Sequence, residues 1–288
     1  MRSETTIRQL ILDVAGRDER IRAVLLNGSR ANPAIDKDIF QDYDIVFVVT
    51  ALDGFIADHS WVDIFGERVM MQLPDTMRYV GIEPNYTPIS FGYLMQFKDG
   101  NRIDLTLFPV DKLKSDFVKD SLTVVWLDKD GMFGDVGLSD DIDYHIRRPE
   151  AEAFAETCNE FWWVSMNVVK GLQRHQPTYV KEMLERYLRP MFLQMVSWKI
   201  GVEHQFAVSF GKAGKLMQRY LPEALYKDIL TTYVGYEPEE NWQALLRLAD
   251  LFKALAHDVG GALGFVINRE DEENVMTYLR QQYATFGR

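Results

Sequence analysis

The side chains of this 288-residue chain with the clearest chemical potential lie within residues 22–50, RAVLLNGSRANPAIDKDIFQDYDIVFVVT. Asp42 and Asp44 stand two apart at the entry to the apolar run 45–49. Residues two apart on a strand face the same side. Two carboxylates therefore point in parallel from the end of a buried strand, and they repel unless a cation lies between them. Hard divalent cations such as Mg²⁺ take oxygen ligands and share a few carboxylates with substrate phosphates. The competing reading is two solvated aspartates at a strand start. Upstream, Gly28-Ser29-Arg30 follows the apolar run 23–26 at once. A glycine at a strand end allows a sharp turn and close approach of a ligand to the backbone. Ser29 adds a hydroxyl, and Arg30 adds a cationic fork suited to phosphate. Taken alone, these three residues also make an ordinary tight turn.

Two further groups of residues bear on the same chemistry. Asp104 sits between Ile103 and Leu105 in a run that reads as a half-buried strand. An unpaired carboxylate there is costly, so it needs a metal, Arg102 or a lysine beside it. Lys212, Lys215 and Arg219 recur at three and four, the spacing of one helical face. A basic stripe at a helix start after Gly211 suits a triphosphate tail, although a solvated charged face has the same pattern. Phe210 to Lys215 is no Walker A loop, because Ser209 stands where its first glycine belongs and Leu216 follows the lysine. Asp128-Lys129-Asp130-Gly131 reads as a turn. It fails as a calcium loop because Phe133 replaces the required glycine and the terminal Glu is absent.

The elements that must position these residues follow in order. Residues 3–16 read as an amphipathic helix, capped by Ser3 and striped with Ile7, Leu10, Ile11 and Val14. Residues 23–26 and 45–49 are strands, the second central because it is continuously apolar. A short helix at 61–66 capped by Ser60, a strand at 68–73, a loop at 81–90 and strands at 91–98 and 102–108 follow. Asp99-Gly100 marks the turn between the last two. A helix at 110–120 and a strand at 123–127 complete this half. Residues 134–149 are a candidate linker. Beyond it helical periodicity dominates, over 150–173, 178–203 with a kink or break at Pro190, 212–221, 222–233, 238–260 and 270–285. The expected fold class is α+β, with a mixed-sheet domain over 1–148 and a helical bundle over 149–288 that completes a ligand cleft.

The order strand, Gly-Ser, about a dozen residues, then Asp-x-Asp entering a strand resembles the nucleotidyltransferase superfamily of the DNA polymerase beta type. Gly28 to Asn32, Phe40 to Ile45, Asp104 to Leu107, Leu127 to Asp130 and Val168 to Leu172 further resemble the aminoglycoside 6-adenylyltransferase (streptomycin adenylyltransferase) family. The resemblance runs from near Met1 to about Pro222. It departs at Asn27, where a Glu often precedes Gly-Ser, and no role is assigned there. It implies Mg²⁺-dependent transfer of AMP from ATP to a hydroxyl of streptomycin, the 6-hydroxyl, with pyrophosphate released. It further implies that Asp42, Asp44 and Asp104 hold the metal, with Asp104 also the general base, and that Gly28, Ser29, Arg30, Lys212 and Lys215 hold the nucleotide. The alternatives are another acceptor (a different aminoglycoside, a lincosamide or a protein) and a catalytically silent nucleotide-binding regulator.

The remaining composition narrows the class. A net charge of −11 argues against a duplex nucleic acid partner, which needs a basic face, and suits a polycationic small molecule. The single cysteine, Cys158, forms no internal disulfide and is expected to be a buried, inert thiol. With no apolar leader and no apolar run near 18 residues, a cytoplasmic protein without membrane contact is expected. The five histidines show no zinc spacing. A monomer or weak homodimer is the expected assembly.

Overall fold

A computed structural model describes residues 1–77, 89–134 and 137–286. The chain divides into two compact units, Met1–Asp143 and Tyr144–Arg288. The fold is α+β: a mixed six-stranded sheet in the first unit and helices in the second.

In the first unit helix α1, Glu4–Arg17, begins at Ser3, whose side chain accepts from the Thr6 amide. Burial of Ile7, Ile11 and Ala15 every four residues lays the helix on the sheet. Strand β1 is Ile21–Asn27 and β2 is Tyr43–Val49. The one-turn helix α2, Asp53–Ile56, precedes β3, Arg68–Gln72. Then come β4, Phe91–Phe97, and β5, Arg102–Pro109. A single helical turn, α3, Leu113–Asp116, leads to β6, Val124–Asp128. The order across the sheet is β3-β4-β5-β2-β1-β6. Strand β2 is therefore central, flanked by β5 in parallel and β1 antiparallel. One sheet face carries the larger core, including Tyr43, Ile45, Phe47, Ile103 and Leu105 with Ile7 and Ile11 of α1. The opposite face carries a small cluster built on Leu25, Val46 and Phe108.

The second unit is built on α4, Ala151–Gln173, then α5, Pro177–Lys181, and α6, Arg189–Glu203. Helices α7, Glu223–Leu230, α8, Pro238–Leu263, and α9, Arg269–Thr285, complete it. Phe154, Phe161, Trp242 and Phe252 are fully buried in its core, with Phe161 and Phe252 stacked at 3.7 Å. Burial pushes the Cys158 thiol up to about 12, with the Glu272 charge adding to it, so it stays protonated. Among the described residues no helix is long and apolar enough to cross a membrane.

Several local expectations are corrected. The helix expected over 110–120 is only a 3-10 turn, Val110–Lys112, followed by α3. The helix near 61–66 is a 3-10 turn, His59–Phe65, and its cap is Asp58, which accepts from the Ser60 amide. At Pro190 the helical path neither breaks nor ends. A π segment, Glu182–Leu188, joins α5 to α6 and takes up the mismatch caused by the missing proline N–H. The expected helix over 212–221 is two 3-10 turns, Lys212–Gly214 and Met217–Arg219. Gly211, Ala213 and Gly214 all have positive φ, which no α-helix accommodates. The loop expected over 81–90 lies, apart from its last two residues, outside the described residues.

Candidate active site

Sheet register assembles the acidic residues. On β2, Tyr43, Ile45 and Phe47 face the larger core, so Asp44 faces the other way with Val46. Pairing of β2 with β5 sets Asp44 beside Asp104, and pairing of β1 with β2 sets Asn27 beside Asp44. Asn27, Asp44 and Asp104 thus form one row across three adjacent strands, with Asp42 one residue before β2.

Gly28 abuts this row. Its φ is +70°, and a Cβ built on it would lie 2.2 Å from Asp44 Oδ2. The glycine is required twice over, by its backbone angle and by the carboxylate against its α-carbon. Gly28–Ala31 is a 3-10 turn, so Ser29 follows Gly28 on a tight corner at the end of β1.

Burial raises the Asp44 carboxyl to about 6, and the charges of Asp104 and Asp42 add to the effect. The Asp44 carboxylate forms no hydrogen bond or ion pair with any described residue, and Arg102 acts on it only through its charge. Asp42 is also raised, by burial and then by the neighbouring Asp104 charge, with Arg102 pulling the other way. Arg102 is the local cation. Its Nε and Nη2 donate to the two oxygens of Asp104 at 2.8 and 2.7 Å, and its Nε lies 3.5 Å from Asp42 Oδ2.

Two adjacent strands thus bring carboxylates together, one of them with no hydrogen-bonded partner, against a glycine corner. The profile of a family described as streptomycin adenylyltransferase matches residues 1–282. The chain belongs to the streptomycin adenylyltransferase family. Curated relatives agree along the whole length. An aminoglycoside 6-adenylyltransferase of Campylobacter jejuni is 37% identical over 288 residues, covering 100% of this chain and 98% of the relative. One of Bacillus subtilis is 38% identical over 273 residues, covering 94% and 95%. A solved aminoglycoside 6-adenyltransferase from Bacillus subtilis aligns over 99% of this chain and 100% of its own at 34% identity, with a TM-score of 0.49. As a member of this family the chain is an adenylyltransferase enzyme.

The structure distributes the other expected site residues as follows. Arg30 already has its guanidinium engaged. It is only 8% exposed, its guanidinium lies 3.9 Å over the Tyr43 ring, and its Nε and Nη2 donate to the Gln41 carbonyl. Tyr43, beneath that guanidinium, faces the larger core, opposite to Asp44. Ser29 is half-buried, and only its carbonyl is tied down, by Asn32 and by Gln41. Lys212 and Lys215 are exposed in the second unit, one 3-10 turn apart, rather than on the helix face their spacing predicted. Sequence reasoning gave no role to Asn27. Register brings it into the acidic row, where its Oδ1 accepts from the Thr123 hydroxyl and its amide nitrogen keeps two donors. Its position directly before Gly-Ser was the signal available.

The donor set suits a hard divalent cation in kind, being carboxylate oxygen without thiol or imidazole. In placement the fit is partial. Among the described residues no group of three or more His, Cys, Asp or Glu side chains is set to hold a metal ion. Arg102 occupies the third carboxylate. Asp42 and Asp44 remain, a number that suffices for a cation keeping several waters and phosphate oxygens.

Proposed function

We propose that this enzyme transfers the adenylyl group of ATP to a hydroxyl of an aminoglycoside, inactivating the drug. The acceptor we assign is streptomycin, at its 6-hydroxyl, and we place the reaction in the cytoplasm. The family name and the names of the curated relatives support the acceptor class. The observation that carries the chemistry is Asp44, half-buried, without a hydrogen-bonded cation and held against Gly28 beside Asp42 and Asp104.

In this reading Asp42 and Asp44 hold Mg²⁺, and Asp104 joins them once Arg102 releases it. Bound there, the cation would polarise the α-phosphate and screen repulsion between the entering and leaving oxygens. Gly28 leaves room for the triphosphate at the corner, and the Ser29 hydroxyl orients it. Asp104 takes the proton of the acceptor hydroxyl. The hydroxyl oxygen forms a bond to the α-phosphorus, the bond from that phosphorus to the bridging oxygen breaks, and pyrophosphate departs with the electron pair. Lys212 and Lys215 neutralise the leaving pyrophosphate. The chain's net charge of −11 favours approach of a polycationic drug.

The test is mass spectrometry of candidate acceptors after incubation with ATP and Mg²⁺. Streptomycin should gain one adenylyl group while a lincosamide and other aminoglycosides do not. Modification of another acceptor in preference to streptomycin would overturn the assignment, and modification of none would favour a silent nucleotide-binding protein.

A further inference from the structure

Among the described residues Arg102 is the one cation set directly into the carboxylate row. It shares a face of β5 with Asp104, two residues on, and its fork closes on both oxygens of that carboxylate. The same guanidinium leans toward Asp42 at 3.5 Å. Its N–H groups fill the lone pairs that a divalent cation or an acceptor proton would need at Asp104. It makes no hydrogen bond to Asp44, so one guanidinium serves three carboxylates and the row stays short of positive charge.

Two other arginines, Arg189 and Arg30, are locked. Arg189 is 4% exposed and tied to Glu185 and to the Thr232 hydroxyl. Arg30 is buried over Tyr43. Arg102 differs from both, because its side chain is 42% exposed and it is the first residue of β5. It can leave Asp104 for solvent without repacking the core.

We propose that Arg102 is an internal counter-ion that competes with the divalent cation and is displaced as the cation loads. Resting on the assignment of the carboxylates to a metal, this makes Arg102 a positioning residue with two effects. In the nucleotide-free protein it neutralises Asp104 and part of Asp42, which holds the repelling carboxylates in place and weakens cation binding. When nucleotide arrives with its cation, phosphate charge compensates the displaced guanidinium. Asp104 is then free to accept a proton. Cation loading and activation of the base are thereby tied to nucleotide binding.

The test is binding of Mn²⁺ to the nucleotide-free protein, read from the paramagnetic resonance signal of the free ion. Arg102→Ala should bind Mn²⁺ about tenfold more tightly than wild type, and Arg102→Lys, which keeps the charge, should stay near wild type. In metal-free buffer Arg102→Ala should melt at lower temperature, and saturating Mn²⁺ should recover the loss. A purely structural arginine would give the lower melting temperature with unchanged or weaker Mn²⁺ binding, and that result overturns the proposal. Should Arg102→Ala fold poorly, Arg102→Gln removes the charge at similar length and gives the same comparison. If the variants bind no Mn²⁺ while wild type still releases pyrophosphate from ATP, the competitor role alone fails. If neither binding nor release is seen, the metal assignment fails with it.

Discussion

The strand ends that carry Asp42, Asp44 and Asp104 and the turn that carries Lys212 and Lys215 hold charge by different means. The carboxylates are fixed by backbone register. Three strands are hydrogen-bonded side by side, alternation decides which side chains share a face, and Gly28 closes the corner against Asp44. The lysines are exposed on a 3-10 turn bracketed by positive-φ Gly211 and Gly214. Charge brought together by a sheet has little freedom to relax: burial at the strand junction, with the Asp104 and Asp42 charges adding to it, raises Asp44 to about 6. Charge on a turn stays solvated and adaptable. The first arrangement is suited to preorganised chemistry, the second to grasping a flexible polyanion.

That contrast can be broken by substitution. The largest effect is expected at the sheet. Asp42→Asn or Asp44→Asn should lower turnover by about 10³-fold or more while circular dichroism stays native. Near-normal turnover in either variant would remove it from metal binding. Gly28→Ala follows, because its Cβ would collide with Asp44 and its φ is left-handed. We expect a loss of about 10²-fold in turnover and roughly 1–3 kcal/mol in stability from the strained backbone, read by steady-state kinetics and urea unfolding. Lys212→Ala and Lys215→Ala should raise the KM for ATP by about five- to tenfold, roughly the strength of a solvated charge contact, with little change in kcat. An unchanged KM in the double variant would make the turn an ordinary solvated surface.

Arg30→Gln sharpens the same comparison from the other face of the sheet. Removing its cation from Tyr43 and from Glu4, whose carboxylate lies 3.5 Å from Arg30 Nη1, should cost about 1–2 kcal/mol of stability, as for a buried charge-assisted contact. The KM for ATP should stay within about twofold. A large KM effect with no stability loss would return Arg30 to the phosphates.

The smallest effect is in pH. Because the folded-state value of Asp44 is raised, its ionised form works against folding. Metal-free wild type should therefore gain stability relative to Asp44→Asn as pH falls from 7 through about 6 toward 4. The gain should be about 1–2 kcal/mol after solvent screening, measured as the difference in unfolding free energy between the two proteins.

Much of this site was legible in the sequence because period-two alternation is rigid. Asp-x-Asp before an apolar run, and Asp104 between two apolar residues, fixed a face as soon as the strands were identified. What stayed hidden depended on which strands became neighbours. Nothing local in the chain says that Asn27 lines up with Asp44, or that Arg102 reaches across to Asp42. Nor does anything local say that Arg30 stacks on Tyr43 and donates to the Gln41 carbonyl. Lys212, Lys215 and Arg219 misled because their spacing fitted a helix that two glycines and Ala213 forbid. The helix expected over 110–120 shortened for a related reason, since its polar residues leave a stripe too thin to anchor several turns.

The central claim is that a carboxylate row organised on Asp44 holds the cation for adenylyl transfer. The most direct measurement is pyrophosphate released from ATP with streptomycin and Mg²⁺, compared between wild type, Asp44→Asn and wild type with excess chelator. Release by wild type alone is the predicted result. Equal release in all three, or none from wild type in the presence of streptomycin, would contradict it.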